Sequence, residues 1–322
     1  MWKRELGTRE IKTSKGVKMG IKIFKKVKAK NPDLIACWSG IGNIGLIAVD
    51  TLRSEIGAEE LGEIEPWDFF YPRKVSIKGG LLRDLEFPRS KFYFKRVGEK
   101  DLIFFVGEEQ PREKGNLYAR GEKAYEMANL VLDVAGQFEC QRVYTSGAAV
   151  APIHHTLKPR VWAVANKKDL IEEIKRYENT ILMSEIEGTD DQSAITGLNG
   201  LLLGVAKKRG LEGICLMGEI PFYLQVSPLP YPKASKSVLE VLTRILGISL
   251  NLGKFDYHVA QTEATIEKFY EHLPPELRDQ LEKFKDIRYV KPAPTIPTMT
   301  AEDKKKLMED IEKFLQKEGD QI

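Results

Sequence analysis

The chain has 322 residues, 42 % of them hydrophobic and 30 % charged, with a formal net charge of +3, enough apolar content for a sizeable core. No apolar stretch approaches the roughly 20 residues that span a bilayer, and the start of the chain lacks the apolar segment of a secretory signal, so a cytoplasmic protein with no membrane association is expected. Cys37, Cys140 and Cys215 each lie in or beside an apolar run, without C-x-x-C or metal-ligand spacing, and read as buried structural thiols.

Charge is unevenly placed along the chain. Residues 1–30 hold eleven Lys or Arg against Glu5 and Glu10, a local +9 that leaves −6 for the rest. A basic arm can touch nucleic acid or an acidic partner, yet this one has no interleaved aromatics and no binding motif. It reads better as a solvated extension, or as an edge strand defended by lysines. Met19-Gly20-Ile21-Lys22-Ile23 would make a natural strand-like start, so residues 1–18 are expected to be a dispensable leader. The boundaries drawn are a basic extension over 1–20, an α/β domain over 21–272 and a helical extension over 273–322.

The first strong element is an apolar run over residues 34–38, followed by Ser39-Gly40-Ile41-Gly42-Asn43-Ile44-Gly45 and an amphipathic run from Ile44. That is a strand, a glycine turn and a helix, with the G-x-G-x-x-G spacing of a dinucleotide-binding turn. Glycines there permit backbone angles and close approaches that a Cβ would block, and a helix N-terminus suits an anion. A dinucleotide fingerprint also needs an acidic residue about 20 positions on, at the end of a second parallel strand. Glu63, Glu65 and Asp68 fall near that distance, but the intervening pattern reads as antiparallel: residues 74–77, the Gly79-Gly80 turn, residues 81–87 and residues 91–97 form meandering strands. The alternative is a tight turn that packs a helix on a sheet.

Further apolar runs at 102–106, 142–145, 161–165 and 213–217 fit strands covered on both faces. Between them Ala124, Met127, Ala128, Val131, Ala135 and Phe138 share a helical face. Leu198, Leu201, Leu202 and Val205 repeat that pattern, and so do Val238, Val241, Leu242 and Ile245. The alternation argues for a three-layer α/β/α sandwich around a mixed, mostly parallel sheet. Gly197, Gly200 and Gly204 weaken the second of these helices by roughly 1 kcal/mol each relative to alanine, which a close approach to the sheet or to a neighbouring subunit would explain. Pro274-Pro275 opens a short helix through Phe284, and Pro292, Pro294 and Pro297 mark a stiff connector. Thr300 and Asp303 then cap a last helix with Leu307, Ile311, Phe314 and Leu315 on one side, expected to fold back on the core.

In such a sheet ligands sit outside the carboxyl ends of the strands. Five loops qualify: residues 39–45, 107–111, 146–155, 187–191 and 218–221. The candidate pocket drawn from them is Gly40, Gly42, Asn43, Gly45, Glu108, Gln110, Ser146, His154 and Glu219. No reaction is forced by this set. Glu108 and Glu219 read as helix caps or lysine partners before acids or bases. His154 and His155 would point apart in an extended chain, so at most one faces a given ligand. Neither has the H-E-x-x-H context of a zinc site, Ser146 lacks the G-x-S-x-G elbow, and no phosphate loop of the G-x-x-x-x-G-K-[ST] type occurs. No catalytic residue, metal or cofactor is assigned.

Taken in order, residues 34–45, Phe104-Phe105-Val106-Gly107-Glu108-Glu109-Gln110-Pro111, the small-residue stretch after Tyr144, and residues 197–204, 213–219 and 232–239 resemble the PAC2 family of proteasome-assembly-chaperone-like proteins. The resemblance covers about residues 21–255. It implies a phosphorylase/hydrolase-like α/β/α fold, similar to purine nucleoside phosphorylases, and self-association into a homo-oligomer. For some archaeal relatives it implies a role in assembling or engaging the 20S proteasome, through a tail ending in hydrophobic-Tyr-any residue. This chain ends Lys317-Glu318-Gly319-Asp320-Gln321-Ile322, without the penultimate tyrosine. The expected role is that of an assembly or interaction factor without established catalytic activity, with proteasome subunits or another protein as partner. The alternatives are a nucleoside- or nucleotide-binding enzyme using a phosphorylase-like pocket and, third, an NAD(P)-binding protein.

Overall fold

The computed structural model describes residues 11–13, 16–18, 20–111, 119–186, 194–287, 302, 305, 306 and 308–310. Strands β1 (Ile11–Thr13) and β2 (Gly16–Lys18) pair with each other ahead of the main sheet. That sheet takes β3 (Ile21–Ile23), β4 (Asp33–Trp38) and β5 (Glu59–Ile64) from the first part of the chain. A separate hairpin of β6 (Lys74–Lys78) and β7 (Leu81–Glu86) precedes β8 (Ser90–Val97) and β9 (Lys100–Gly107). Then follow β10 (Arg142–Ala151), β11 (Val161–Ala165), β12 (Thr180–Leu182) and β13 (Glu212–Pro221). The main sheet has nine strands in the order β12-β11-β13-β10-β4-β9-β8-β5-β3.

Its centre, β13-β10-β4-β9, is parallel, and β11 and β12 run parallel to each other. The flanks are antiparallel: β11 against β13, and the meander β9-β8-β5-β3. The second strand that a dinucleotide unit places beside the first is not there: β5 lies three places from β4, joined to it through the antiparallel meander β9-β8-β5 that the sequence pattern led one to expect. Glu63 and Glu65 are therefore carried away from the glycine turn, and Glu65 pairs with Lys22 of the edge strand β3 at 2.7 Å.

Helices cover both faces because β4 is apolar on both. Ile35 and Cys37 enter one core, while Leu34, Ala36 and Trp38 enter the other, as strand alternation requires. On the first face α1 (Ile44–Glu55) packs against α5 (Pro232–Leu246), with α6 (Gly253–His272) and α7 (Pro275–Glu282) closing over that core through Ile266, Tyr270 and Leu281. On the second, α2 (Glu122–Gln137) packs against α4 (Gly197–Lys208). The short α3 (Lys168–Ile174) lies against β11. The result is a three-layer α/β/α arrangement.

Two strands run further than the sequence pattern suggests. Residues 146–149 and 218–221, expected as loops, are strand, because β10 and β13 stay in register from Arg142↔Glu212 to Ala151↔Pro221. Small side chains broke the apolar run without breaking the ladder. Residues 302, 305, 306 and 308–310 are helical, with Met308 packed on the first core. Met19, most of the basic extension, loop 187–191, Pro292, Pro294, Pro297, Thr300, Asp303, Leu307, Ile311, Phe314, Leu315 and the tail 317–322 lie outside the described residues.

Candidate functional site

The glycine turn is built for close packing. Gly42 and Asn43 both adopt left-handed backbone, at φ 57° and 49°. Gly45 opens α1 so tightly on β10 that a Cβ there would stand 2.2 Å from the Ser146 carbonyl oxygen. Asn43 closes the turn locally, its N–H donating to Gly40 O at 2.9 Å, and the Tyr231 N–H donates to Gly42 O at 2.8 Å. Gln110 ties this turn to the second helix layer: its Nε2 donates to Ser39 O at 2.8 Å, and its Oε1 accepts from the Leu198 N–H at 3.0 Å. Gly197, at φ 75°, is the residue that lets α4 begin there, since a Cβ would meet Gln110 Oε1 at 2.9 Å.

Beneath Gln110 lies a cavity of about 230 Å³ at the carboxyl ends of the parallel strands. Gly40, Gly45 and Gln110 of the sequence-derived set line it, and Gly42 and Asn43 belong to the same turn without lining it. Sequence reasoning missed Trp38, Trp162, Asn199, Met183 and Met217, which also form its walls. Trp38 could have been found, because it is the last strand residue before the turn. Trp162 and the methionines come from elements that only the fold brings near.

The remaining candidates face elsewhere, each for a visible reason. Ser146 is buried under Gly45, and its Oγ makes no hydrogen bond. Glu108 turns outward to arginines rather than lysines: Arg73 Nη1 at 3.1 Å, the Arg89 N–H at 3.2 Å and the Arg89 side chain. Burial pushes its pKa up, but these donors outweigh that and hold it below the usual carboxylate range. Arg73 also reaches Glu109 at 2.7 Å and stands at the root of the β6–β7 hairpin, so this cluster fixes the hairpin to the end of β9. Glu219 is fully buried, accepting from the Trp162 indole N–H at 2.7 Å and the Arg160 N–H at 2.8 Å. It acts on the cavity only by fixing Trp162.

His154 and His155 do not point apart. Their rings lie 4.1 Å from each other beyond the end of β10, covered by α6 and α7. The chain has left the extended conformation there, and Tyr223 and Tyr270 hold both rings on one side. His155 Nε2 faces the acceptor-only carboxylate of Glu267 at 3.1 Å and so carries the proton. Tyr223 OH then donates to Nδ1 at 2.8 Å while accepting the His155 backbone N–H at 2.8 Å. His154 Nδ1 accepts from Thr156, and its buried Nε2 makes no hydrogen bond, with Glu282 Oε1 3.8 Å away. Burial lowers both imidazole pKa values, helped at His154 by His155 and Lys285 and opposed at His155 by Glu267; His154 falls to about 4. Among the described residues no group of three or more His, Cys, Asp or Glu could hold a metal ion, and no helix is long and apolar enough to cross a membrane.

With this geometry in view, the comparisons with known proteins are specific. The PAC2 family model matches residues 34–269. An uncharacterised protein of Methanocaldococcus jannaschii is 29 % identical over 276 residues, covering 83 % of this chain and 97 % of its own length. Among solved structures, Pyrococcus furiosus PbaB, described as an archaeal proteasome activator, is similar at TM-score 0.62 and 28 % identity, covering 77 % of this chain and 97 % of that one. Pyrococcus furiosus PbaA, described as an archaeal homolog of proteasome-assembly chaperone, gives TM-score 0.57 at 20 % identity, with 82 % and 97 % covered. At that identity the second likeness shows the fold alone.

Proposed function

The chain belongs to the PAC2 family, and from that premise we propose that it works as an assembly or interaction factor whose partner is the proteasome, a reading supported by its similarity to PbaB, which is described as an archaeal proteasome activator. The observation that carries this reading is the β6–β7 hairpin. A register shift between Ser76 and Ile77 leaves Arg83 as the extra residue on β7, so Val75 and Leu85 stand opposite each other and Ile77 stands opposite Leu82. One face of the hairpin thereby becomes wholly apolar. The other carries the Lys74–Glu86 ion pair and the Ser76 hydroxyl bonded to Asp84 O.

Much of this apolar face is exposed: Ile77 and Leu82 are each 70 % exposed, with Val75 and Leu85 partly so. A lone two-stranded hairpin is marginal in water, and an exposed apolar face of this kind marks a protein-binding surface. Glu108 and Glu109 tie its root to the end of β9 through Arg73. The described cavity walls carry no ionisable side chain, so this reading assigns no reaction to the chain. Self-association, a cytoplasmic location and the finer phosphorylase-like arrangement of the three layers belong to the same proposal.

The test is native mass spectrometry of the full chain with purified 20S proteasome α-subunits of its own organism. A complex is expected from the unaltered chain, and its loss from Ile77→Glu/Leu82→Glu with the thermal midpoint unchanged. No complex at micromolar concentration, or one indifferent to the double substitution, would overturn the reading.

A further inference from the structure

The apolar face of the β6–β7 hairpin does not end at the hairpin's root. The Arg73 N–H donates to Glu86 O at 2.7 Å, so the ladder continues one step past Lys74↔Glu86. Strand alternation then puts Phe87 on the side of Leu85 and Val75. The Trp67 indole meets the Phe87 ring edge-on at 4.6 Å and is 63 % exposed. One strip thus runs from Ile77 and Leu82, through Val75 and Leu85, to Phe87 and Trp67. The loop that carries Trp67 is tied to the body of the molecule. Phe69 and Phe70 pack against the second core, and Lys123 Nζ of α2 lies 5.5 Å from the centre of the Phe69 ring.

Shape and charge narrow the partner. The strip is two side chains wide, and residues 82–87 span about 15 Å at the rise of an extended strand. A ridge of that form suits the groove between two packed helices, whose axes lie about 8–10 Å apart, better than a flat surface. Most of the charges around it are already used. Glu86 pairs with Lys74, and Arg73 is held by Glu108 and Glu109. Asp84 stands opposite Ser76 on the polar face, with one oxygen accepting the Leu85 N–H at 2.8 Å. Lys78 and Arg83, both exposed near the turn, pair with no described acid. Cations without a counter-charge at one end of an apolar ridge call for carboxylates at the matching end of its groove.

We propose that residues 67–87 dock as one ridge into an apolar, helix-lined groove of the partner, which carries carboxylates where the Gly79-Gly80 turn arrives. Trp67 is the aromatic anchor at the other end, the residue type that most often dominates such contacts. This inference rests on the proposed function: the groove belongs to the proteasome subunit that the hairpin engages.

The test is biolayer interferometry of the full chain on purified 20S proteasome α-subunits of its own organism, at low and at physiological salt. Lys78→Glu/Arg83→Glu is expected to lower the association rate about tenfold and to flatten its dependence on salt. Lys26→Glu/Lys28→Glu makes the same change of net charge beside Lys25, which pairs with Glu59 at the start of β5, whereas the ridge leaves from the end of that strand. That control should alter the rate by about twofold at most, because salt screens distant charges. Trp67→Ala should weaken binding by about tenfold or more, chiefly through faster dissociation, and Trp67→Phe should recover part of the loss. The charge pair lies in solvent, so it remains decisive if Trp67→Ala disturbs its loop. Charge reversal with no more effect than the control, or an affinity indifferent to Trp67→Ala, would overturn this inference. The proteasome reading would then stand if Ile77→Glu/Leu82→Glu still abolished the complex. No complex with the unaltered chain would overturn both.

Discussion

Gly45 and Gly204 are chemically the same residue in helices of equal length, and the structure gives them opposite tasks. A Cβ at Gly45 would lie 2.2 Å from Ser146 O and 2.5 Å from its carbonyl carbon, and neither backbone atom can move without shifting β10. At Gly204 nothing lies within 4 Å. Gly45→Ala should cost about 1–3 kcal/mol through overpacking. Gly204→Ala should stabilise by up to about 1 kcal/mol, since it only removes backbone freedom from a helix interior. Urea denaturation of both variants checks the pair, and a loss at Gly204 similar to that at Gly45 would refute the packing argument. The sequence pattern expected close approach to explain all three α4 glycines. Approach within the chain accounts for Gly197 and for Gly200, where Ile195 O would lie 2.2 Å from a Cβ, while at Gly204 no described atom of the chain lies within 4 Å.

Elements make and hide surfaces here. The two-histidine cluster fastens α6 to the end of β10 through Glu267 and packs on Tyr270, which in turn bonds Glu282 of α7, with Lys233, Lys285 and Tyr223 as the other ionisable groups around it. Folding depresses the imidazole pKa values, at His154 to about 4 from 6.5. The unfolded chain therefore binds more protons between those values, so the cluster's contribution is complete above about pH 6.5 and is lost as pH falls toward 4. Hydrogen exchange in α6 and α7 should accelerate over that window ahead of exchange in β4. His154→Asn should flatten the dependence, and unchanged protection down to pH 4 would contradict it. The β6–β7 hairpin shows the reverse case. Gly79 and Gly80, at φ 61° and 77°, make its turn readable from sequence, whereas the bulge that collects four apolar side chains on one face depends on a register no single strand announces.

For the whole molecule, the C-terminal segment is part of the core rather than an ornament on it. Leu281 and Phe284 are buried in the same cluster as Ile35 of the central strand, and the Phe284 ring meets Phe222 at 5.0 Å. Phe284→Ala should cost about 3–5 kcal/mol as the cavity left behind stays partly open. Scanning calorimetry would then show a lowered midpoint for a single transition, and an unchanged midpoint would mean that α6 and α7 only rest on the domain.

The sequence by itself determined the layers. Continuous apolar runs at 34–38, 102–106, 142–145, 161–165 and 213–217 fit strands covered on both faces, and the helical stripes between them supply the cover. It also determined the glycine turn, because left-handed angles and close approaches are local demands on residue type, but it left open whether the turn packs the fold or binds a ligand. Tertiary structure decided which strands neighbour each other and that β5 sits three places from β4, so that its acids lie far from the turn. Tertiary structure alone set the cavity walls, where Trp38, Trp162 and Asn199 meet from three distant elements, and turned Glu108, Glu219 and His154 to other partners. The physical reason is range: turns and faces follow from neighbours along the chain, while a site depends on register and side-chain direction between segments that sequence order does not relate.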